Sequence, residues 1–289
     1  MPARKRKLLR GSPKSPAPAG FFVIIARMPK LLRELKAFYK KEGREHLPWR
    51  KTKDPYKILV SELMLQQTQV ERVIPFYNRF LKTFPSARAL ARAPLSRVLQ
   101  HWQGLGYNRR AKFLHQAAKI LTREGWRGQK LPGVGPYTAG AVAAFAFNKP
   151  EVFIETNIRT VFFHHLFQGE SLEVGDNELL PLVAEALKKS KMQPRDFYAG
   201  LMDYGSYLKK QGVRLNNKSK HYTKQSTFEG SARQLRGAIL RELLKKTLTL
   251  AQLIKNLSPR TKGEIERELK RLQTDGLLLR RGRHWTAAE

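Results

Sequence analysis

The chain has 289 residues, with 56 Lys and Arg against 23 Asp and Glu, a formal net charge of +33 and a pI near 10.7. That excess fits a polyanionic partner and argues against an enzyme of small neutral metabolites. Hydrophobic residues make up 41%, enough for a real core, and zero cysteine excludes disulfides, thiolate zinc sites, a cysteine nucleophile and a cysteine-held iron–sulfur cluster. No apolar run reaches the ~18–20 residues that span a bilayer, so no membrane partner is expected.

Residues 1–20 hold six Lys or Arg, no acid and four prolines. The composition predicts a disordered basic arm over residues 1–27. It reads as a solubility tail or as a DNA-contacting arm, and Arg4-Lys5-Arg6-Lys7 also fits a nuclear address. A prokaryotic source would put the protein in the cytoplasm, on the nucleoid.

From Met28 to Lys210 the apolar spacing is helical, beginning with Leu31, Leu32, Leu35 and Phe38. Further stretches run over Tyr56–Leu81, Arg109–Leu121, Tyr137–Phe147, Asn157–Phe167, Glu178–Leu187 and Asp196–Leu208. Breakers separate them, among them Pro75, Pro85, Pro94, Gly104, Gly106, Pro132, Gly133, Gly135, Pro150 and Pro194. No strand is expected in this all-α region. Residues 211–230 are polar and basic and read as a linker.

Residues 231–289 read as a separate module. Helices are predicted over Leu235–Leu244, Leu250–Asn256 and Thr261–Thr274, followed by a two-stranded basic hairpin turning at Gly282. This order resembles a winged helix, whose third helix enters the major groove and whose wing lies over phosphates. Lys262, Arg267, Lys270 and Arg271 would face DNA from that helix, and Arg281 from the wing. Such modules also dock proteins; the arginine-rich wing favours DNA.

Two segments carry candidate chemistry. In Leu131-Pro132-Gly133-Val134-Gly135-Pro136-Tyr137-Thr138, the glycines permit positive φ and close backbone approach, so the turn amides and the following helix start can face a phosphate. The plainer reading is a Gly-Pro turn between two helices. In Ser61-Glu62-Leu63-Met64-Leu65, Glu62 is either solvated on an outer face or buried with a raised pKa, ready as a general acid. The uncharged run Gln66-Gln67-Thr68-Gln69 behind it suits insertion into a base stack and favours the second reading.

Leu47-Pro48-Trp49-Arg50, the block from Asp54 to Pro85, the block from His101 to Lys119, and Leu131 to Phe147 closely resemble the adenine DNA glycosylases of the helix-hairpin-helix superfamily. The resemblance covers about residues 29–210, with the motifs in family order. It implies a two-lobed all-helical fold, a monomer acting on double-stranded DNA that carries a mispair or lesion, and a flipped-out nucleotide whose base water replaces. Glu62 matches the glutamate that protonates adenine at N7. Leu47, Trp49 and Arg50 match the adenine pocket, with Asn157 beside it. Gln67, flanked by Gln66 and Thr68, matches the wedging amide. Leu105 and Tyr107 match contacts to the opposite base, and Gly133, Val134, Gly135 and Thr138 match the DNA-binding hairpin.

Four departures qualify the resemblance. Glu155 replaces the family's aspartate; it could stabilise a cationic sugar or simply start a helix. Without cysteines there is no iron–sulfur cluster, and the pattern implies no cofactor beyond a monovalent cation at the hairpin. The winged-helix-like module stands where relatives carry a domain that helps read 8-oxoguanine. Ala199 stands where they often carry Glu or Gln. Tyr137 is no departure: it matches a catalytic-site tyrosine that some members place beside the reaction centre. It occupies the place of the lysine that gives bifunctional relatives their lyase activity, and a phenol forms no imine, so a monofunctional glycosylase is expected. The alternatives are a glycosylase for another base, such as 8-oxoguanine, uracil or thymine, and a non-catalytic DNA-binding protein on this scaffold.

Overall fold

The computed structural model describes residues 19–167, 174–213, 215 and 227–289. Most of the expected arm and most of the expected linker lie outside them. Inside them, helix α1 (Ala19–Glu42) starts nine residues before Met28, where the arm was expected to end. The apolar sequence ahead of Met28 prolongs the helical pattern, and Met28, Leu31 and Leu35 are wholly buried.

The first lobe contains α2 (Pro55–Leu65), α3 (Val70–Thr83), α4 (Ala87–Arg92), α5 (Leu95–Trp102), α6 (Arg109–Glu124) and α7 (Pro136–Phe147). The second packs α1 against α8 (Thr156–Leu166), α9 (Asp176–Ser190) and α10 (Pro194–Lys210). A 3₁₀ turn, Pro48–Arg50, lies on the path from α1 to the first lobe. The all-helical, two-lobed architecture is the one the sequence predicts.

Differences are local. The stretch Tyr56–Leu81 divides into α2 and α3 because Gln67 takes a left-handed conformation, φ 55°, and stops the helix. Pro75 does not break the chain; it lies inside α3, where its ring forgoes one backbone hydrogen bond. Helices α4 and α5 occupy a region read only for its breakers. Helix α5 is short, yet buries Leu95, Val98, Leu99 and Trp102 along one face.

Helix α2 starts sharply. Asp54 caps it by accepting from the Tyr56 amide, and Pro55 supplies a preset φ at its first position. Its apolar residues are buried on nearly every side, as expected of a helix apolar all round. Gly205 on α10 is required by close approach: a Cβ there would stand 2.2 Å from the Asn157 carbonyl oxygen of α8.

The C-terminal module contains α11 (Ala232–Lys245), β1 (Leu248–Thr249), α12 (Leu250–Asn256), α13 (Lys262–Thr274), β2 (Leu278–Arg281) and β3 (His284–Ala287). The predicted hairpin pairs antiparallel with Arg280 opposite Trp285, and β1 adds a third strand in the order β1-β3-β2. At two residues, β1 is too short to show periodicity. The module rests on the first lobe. Helix α11 packs on α5, and Lys112 Nζ on α6 donates to the Asp275 carbonyl at 2.7 Å.

Candidate active site

The two lobes meet around a cavity of about 170 Å³ lined by Leu47, Trp49, Arg50, Glu62, Tyr137, Glu155 and Asn157. The sequence scatters these residues over more than a hundred positions; the fold gathers them. Helix α2 supplies Glu62, α7 supplies Tyr137, the start of α8 supplies Glu155 and Asn157, and the 3₁₀ turn supplies Trp49 and Arg50.

Glu62 is 4% exposed, so the solvated reading fails. Tyr137 Oη donates to its Oε2 at 2.7 Å. Burial pushes the Glu62 carboxyl up to about 7, against the lowering influence of the Tyr137 hydrogen bond and of Arg50. Burial and the neighbouring Glu62 also hold the Tyr137 hydroxyl well above the ordinary range, so it stays a donor. A carboxyl poised this way can carry a proton near neutrality and release it to a base.

Glu155 has a double character. It is the N-cap of α8, with Oε1 accepting from the Asn157 and Ile158 amides at 2.8 and 3.0 Å. Its Oε2 accepts from Asn157 Nδ2 at 3.2 Å, and Lys209 Nζ donates to Asn157 Oδ1 at 2.7 Å. Burial raises its pKa, while the amides and Lys209 lower it. The carboxyl thus lines the cavity as an acid fixed in place by its hydrogen bonds.

Arg50 lies with its guanidinium carbon 4.9 Å from the centre of the Phe145 ring. One nitrogen, Nη2, reaches Asp203 Oδ1 at 3.4 Å, and the other, Nη1, is buried without a partner beside the cavity. Asp203, 3% exposed, also binds Arg44 through Nε at 2.8 Å and through its backbone amide at 2.9 Å. Ala199 lies on the far side of Arg50, in a separate cavity of about 490 Å³. Arg44 and Asp203 were not singled out in the sequence. Their signal, one acid and one base among many, becomes visible only when helix α10 meets the 3₁₀ turn.

Arg110 was missed as well. Buried at the start of α6, it donates through Nη1 to the carbonyls of Leu63, Met64 and Gln66, at 2.7, 3.0 and 2.5 Å. Through Nη2 it reaches the Gly106 carbonyl at 3.0 Å and Thr68 Oγ1 at 3.3 Å. It therefore ties the end of α2 to the Gln66–Gln69 turn and to the loop holding Leu105 and Tyr107. Gln67 is exposed at the crest of that turn, while Leu105 is 6% exposed and Tyr107 takes φ 48°.

The hairpin between α6 and α7 has the expected form. Gly133 takes φ 72°, and a Cβ there would stand 2.7 Å from Phe113 Cβ, so no other residue fits. Two expectations are corrected. Thr138 is 2% exposed and faces Gln66 Nε2 at 3.5 Å, so it joins α7 to the turn after α2 instead of facing DNA. The Val134 amide closes the turn on Leu131 O at 3.1 Å and does not point outward. Gly135 caps α7 and is exposed, which leaves Gly135 and the first turn of the helix as the candidate phosphate-facing part of the hairpin. In the C-terminal module, Lys262, Arg267, Lys270, Arg271 and Arg281 are all exposed.

A glycine hairpin leading into a helix, a buried carboxyl opposite it and a two-lobed helical cleft define a helix-hairpin-helix fold. Residues 60–181 match the family described as HhH-GPD superfamily base excision DNA repair protein. An adenine DNA glycosylase of Buchnera aphidicola subsp. Baizongia pistaciae is 42% identical over 137 residues, covering 44% of this chain and 39% of that protein. Another, of Mycolicibacterium smegmatis, is 37% identical over 182 residues, covering 60% of this chain and 61% of that one. The chain thus spans less than two thirds of either relative. The solved structure of a thermostable thymine-DNA glycosylase is similar over 63% of this chain and 87% of its own, at 25% identity and a TM-score of 0.53. No cysteine is present to hold an iron–sulfur cluster, and among the described residues no group of three or more His, Asp or Glu is placed to bind a metal.

Proposed function

We propose that the protein is a monofunctional DNA glycosylase that hydrolyses the glycosidic bond of adenine mispaired with 8-oxoguanine or guanine. The observation that carries this reading is the buried Glu62 carboxyl, held at 2.7 Å by Tyr137 inside a cavity walled by Leu47, Trp49 and Arg50. The flipped adenine enters that cavity. Glu62, protonated near neutrality, gives its proton to N7; the C1′–N9 bond breaks and neutral adenine leaves. The positive charge left on the sugar faces the Glu155 and Glu62 carboxylates, which stabilise it electrostatically. Water then attacks C1′ and loses its proton to Glu62. Tyr137 positions Glu62 and, lacking an amine, gives no Schiff base. Gly135 and the first turn of α7 hold the neighbouring phosphate, the hairpin would hold a monovalent cation beside it and so add positive charge there, and Gln67 fills the vacated stack. The protein acts as a monomer on duplex DNA, with residues 231–289 as its winged-helix-like DNA-binding module.

The likeness to a thymine-DNA glycosylase supports a second reading, a mispaired pyrimidine as the target. One experiment separates them: base release from duplexes carrying adenine opposite 8-oxoguanine, guanine, cytosine or thymine, with thymine, uracil and 8-oxoguanine as alternative targets. Adenine release opposite the two guanine bases is expected. Release of a pyrimidine with adenine untouched in every pairing would replace the substrate, and no release at all would remove the enzyme reading.

A further inference from the structure

Two carboxyls line one small cavity, and the reaction needs them in opposite charge states. Glu62 must keep a proton to give to the base, while Glu155 must be ionised to face a cationic sugar. Burial raises both, and Glu155 raises Glu62 further, so near neutrality the pair holds one proton that either could carry. The donors around each group decide where it goes. Glu62 accepts from the Tyr137 hydroxyl. Glu155 accepts from three N–H groups: the Asn157 and Ile158 amides on Oε1 and the Asn157 carboxamide on Oε2. The backbone fixes the first two. The third is not fixed by its own chain, because a carboxamide can present either its NH₂ or its oxygen.

The direction of that carboxamide is set from α10. Lys209 Nζ donates to Asn157 Oδ1 at 2.7 Å. An ammonium donates and never accepts, so Oδ1 faces Lys209 and Nδ2 faces Glu155. Turning the amide over would set oxygen against carboxylate and NH₂ against ammonium. Helical spacing makes the reach possible. Gly205 lies one turn before Lys209 on the same face of α10, and its missing side chain lets the Asn157 backbone lie against that helix. Four residues on, Lys209 arrives beside the Asn157 side chain. The other charged groups near Glu155 serve elsewhere. Arg159, on α8 itself, also lowers Glu155, but its guanidinium is bound to Asp176 at 2.7 and 2.9 Å. Glu62 on α2 and Tyr137 on α7 face it across the cavity, one an acid and the other a neutral hydroxyl, and Arg50 acts on Glu62.

We propose that Lys209 is a positioning residue of the reaction: through the Asn157 carboxamide it fixes Glu155 as an acceptor aimed into the cavity, so that the proton shared by the two carboxyls resides on Glu62. This rests on the reading that Glu62 gives that proton to the base and Glu155 faces the positive charge of the sugar. Lys209 lines the adjoining open groove of about 1160 Å³ and not the cavity itself, so it acts without touching the reacting carbon. Without the ammonium the carboxamide can turn over. Its oxygen then accepts from a protonated Glu155, and the proton moves from the group that must donate it to the group that must not hold it.

The test compares Lys209→Met and Lys209→Arg with the parent, each as the full chain. Single-turnover base release should be slower in Lys209→Met by roughly tenfold or more. The loss should grow as pH falls from about 7, because Glu155 takes up its proton at a higher pH than in the parent. Lys209→Arg keeps a cationic donor and should recover most of the rate and the parent's pH profile. A second reading needs neither DNA nor turnover: ¹³C NMR of protein labelled at the glutamate Cδ, with the Glu155 resonance assigned by its absence in Glu155→Gln. Glu155 should titrate below Glu62 in the parent, and its midpoint should rise in Lys209→Met. Should Lys209→Met not fold, Lys209→Gln, which removes the charge and keeps a neutral donor, is read in the same way and should raise the midpoint too. An unchanged Glu155 titration would overturn the proposal. So would a variant that binds every duplex more weakly yet keeps the parent's pH profile, since Lys209 would then be a phosphate contact. A protein that releases no base but shows the Glu155 shift would lose the glycosylase reading and keep the link from Lys209 to Glu155.

Discussion

The Glu62 cavity and the groove between the first lobe and the C-terminal module lie on opposite sides of one turn, Gln66–Gln69, and are built from different materials. The cavity is small, walled by Leu47 and Trp49, and holds a carboxyl that burial has pushed up to about 7. The groove is open and lined by four arginines, Arg72, Arg233, Arg241 and Arg260. Proton transfer to a leaving base gains from a dry site, where a carboxyl keeps its proton at neutral pH. Holding a polyanion gains from exposed positive charge, which acts at long range and yields to salt. Sequence-distant parts of the chain therefore specialise, and the turn between them keeps them in register.

The largest effect expected is confined to the cavity side. Glu62→Gln should reduce single-turnover base release by ~10²–10⁴-fold, because a glutamine carries no transferable proton. Binding to a duplex holding a tetrahydrofuran abasic analogue should stay within a fewfold of the parent. A variant excising within threefold of the parent would end the comparison as drawn. The pH dependence sharpens it. With the Glu62 carboxyl at about 7, the parent's rate should fall as pH rises through that value. Stability should move the same way. The folded state keeps a proton that the unfolded chain loses near 4.5, so the parent loses stability as pH rises from about 4.5 to about 7. Glu62→Gln lacks that loss, so its stability relative to the parent should rise by on the order of 3 kcal/mol between pH 4 and pH 8. Urea unfolding at both pH values measures it; a difference independent of pH would contradict the burial.

Arg110 is the point where the two sides can be broken together. Its guanidinium serves carbonyls from α2, from the turn and from the Gly106 loop. Arg110→Met removes the donors and leaves buried carbonyls without partners, a loss expected to be on the order of 3 kcal/mol. Base release and the opposite-base preference should fall together. Arg110→Lys should recover part of the stability and little of the preference, since one ammonium cannot span the fork. Urea denaturation of both variants beside the base-release panel is the measurement. Parent-like stability of Arg110→Met would mean that the two sides are aligned by something else.

How far the sequence reaches differs between these regions. The setting of Glu62 among Leu59, Val60, Leu63 and Met64 leaves a solvated and a buried carboxyl both open, and only the uncharged run Gln66–Gln69 behind it tips the reading toward burial; the glycine hairpin marks its neighbour. The 75 residues separating Glu62 from Tyr137 hide their hydrogen bond, which only the packing of α2 on α7 creates. Arg110, Arg44 and Arg233 are hidden for another reason: in a chain with 56 Lys and Arg, a structural arginine has no local mark. Glu155 is legible as an acid at a motif position, yet its use as a helix cap depends on the backbone geometry at Thr156. The C-terminal module reads clearly as three helices and a hairpin. Its attachment to α5 and α6 does not, because Lys112 and Asp275 are 163 positions apart.

The smallest expected effect lies at the outer face of that module. Helix α13 turns Ile265, Leu269 and Leu272 inward. Its acid Glu268 is buried and held by Arg236 at 2.6 Å, and Glu264 is engaged by Arg260. With those acids paired, Lys262, Arg267, Lys270 and Arg271 outnumber the one remaining acid of the helix, Glu266, on its outward face. This face lies apart from the groove and touches no base in the scheme above. Neutralising it should leave the opposite-base preference and the rate of base release at saturating DNA unchanged, and should lower affinity for every duplex alike. The log–log salt slope should shrink by about 0.9 for each phosphate that is no longer neutralised. Lys262→Ala, Arg267→Ala, Lys270→Ala and Arg271→Ala, made singly and then together and titrated from low to moderate salt, give the number of phosphates engaged. A combined variant with the parent's slope would assign the face to a protein partner. A combined variant without the opposite-base preference would mean that the module takes part in base selection.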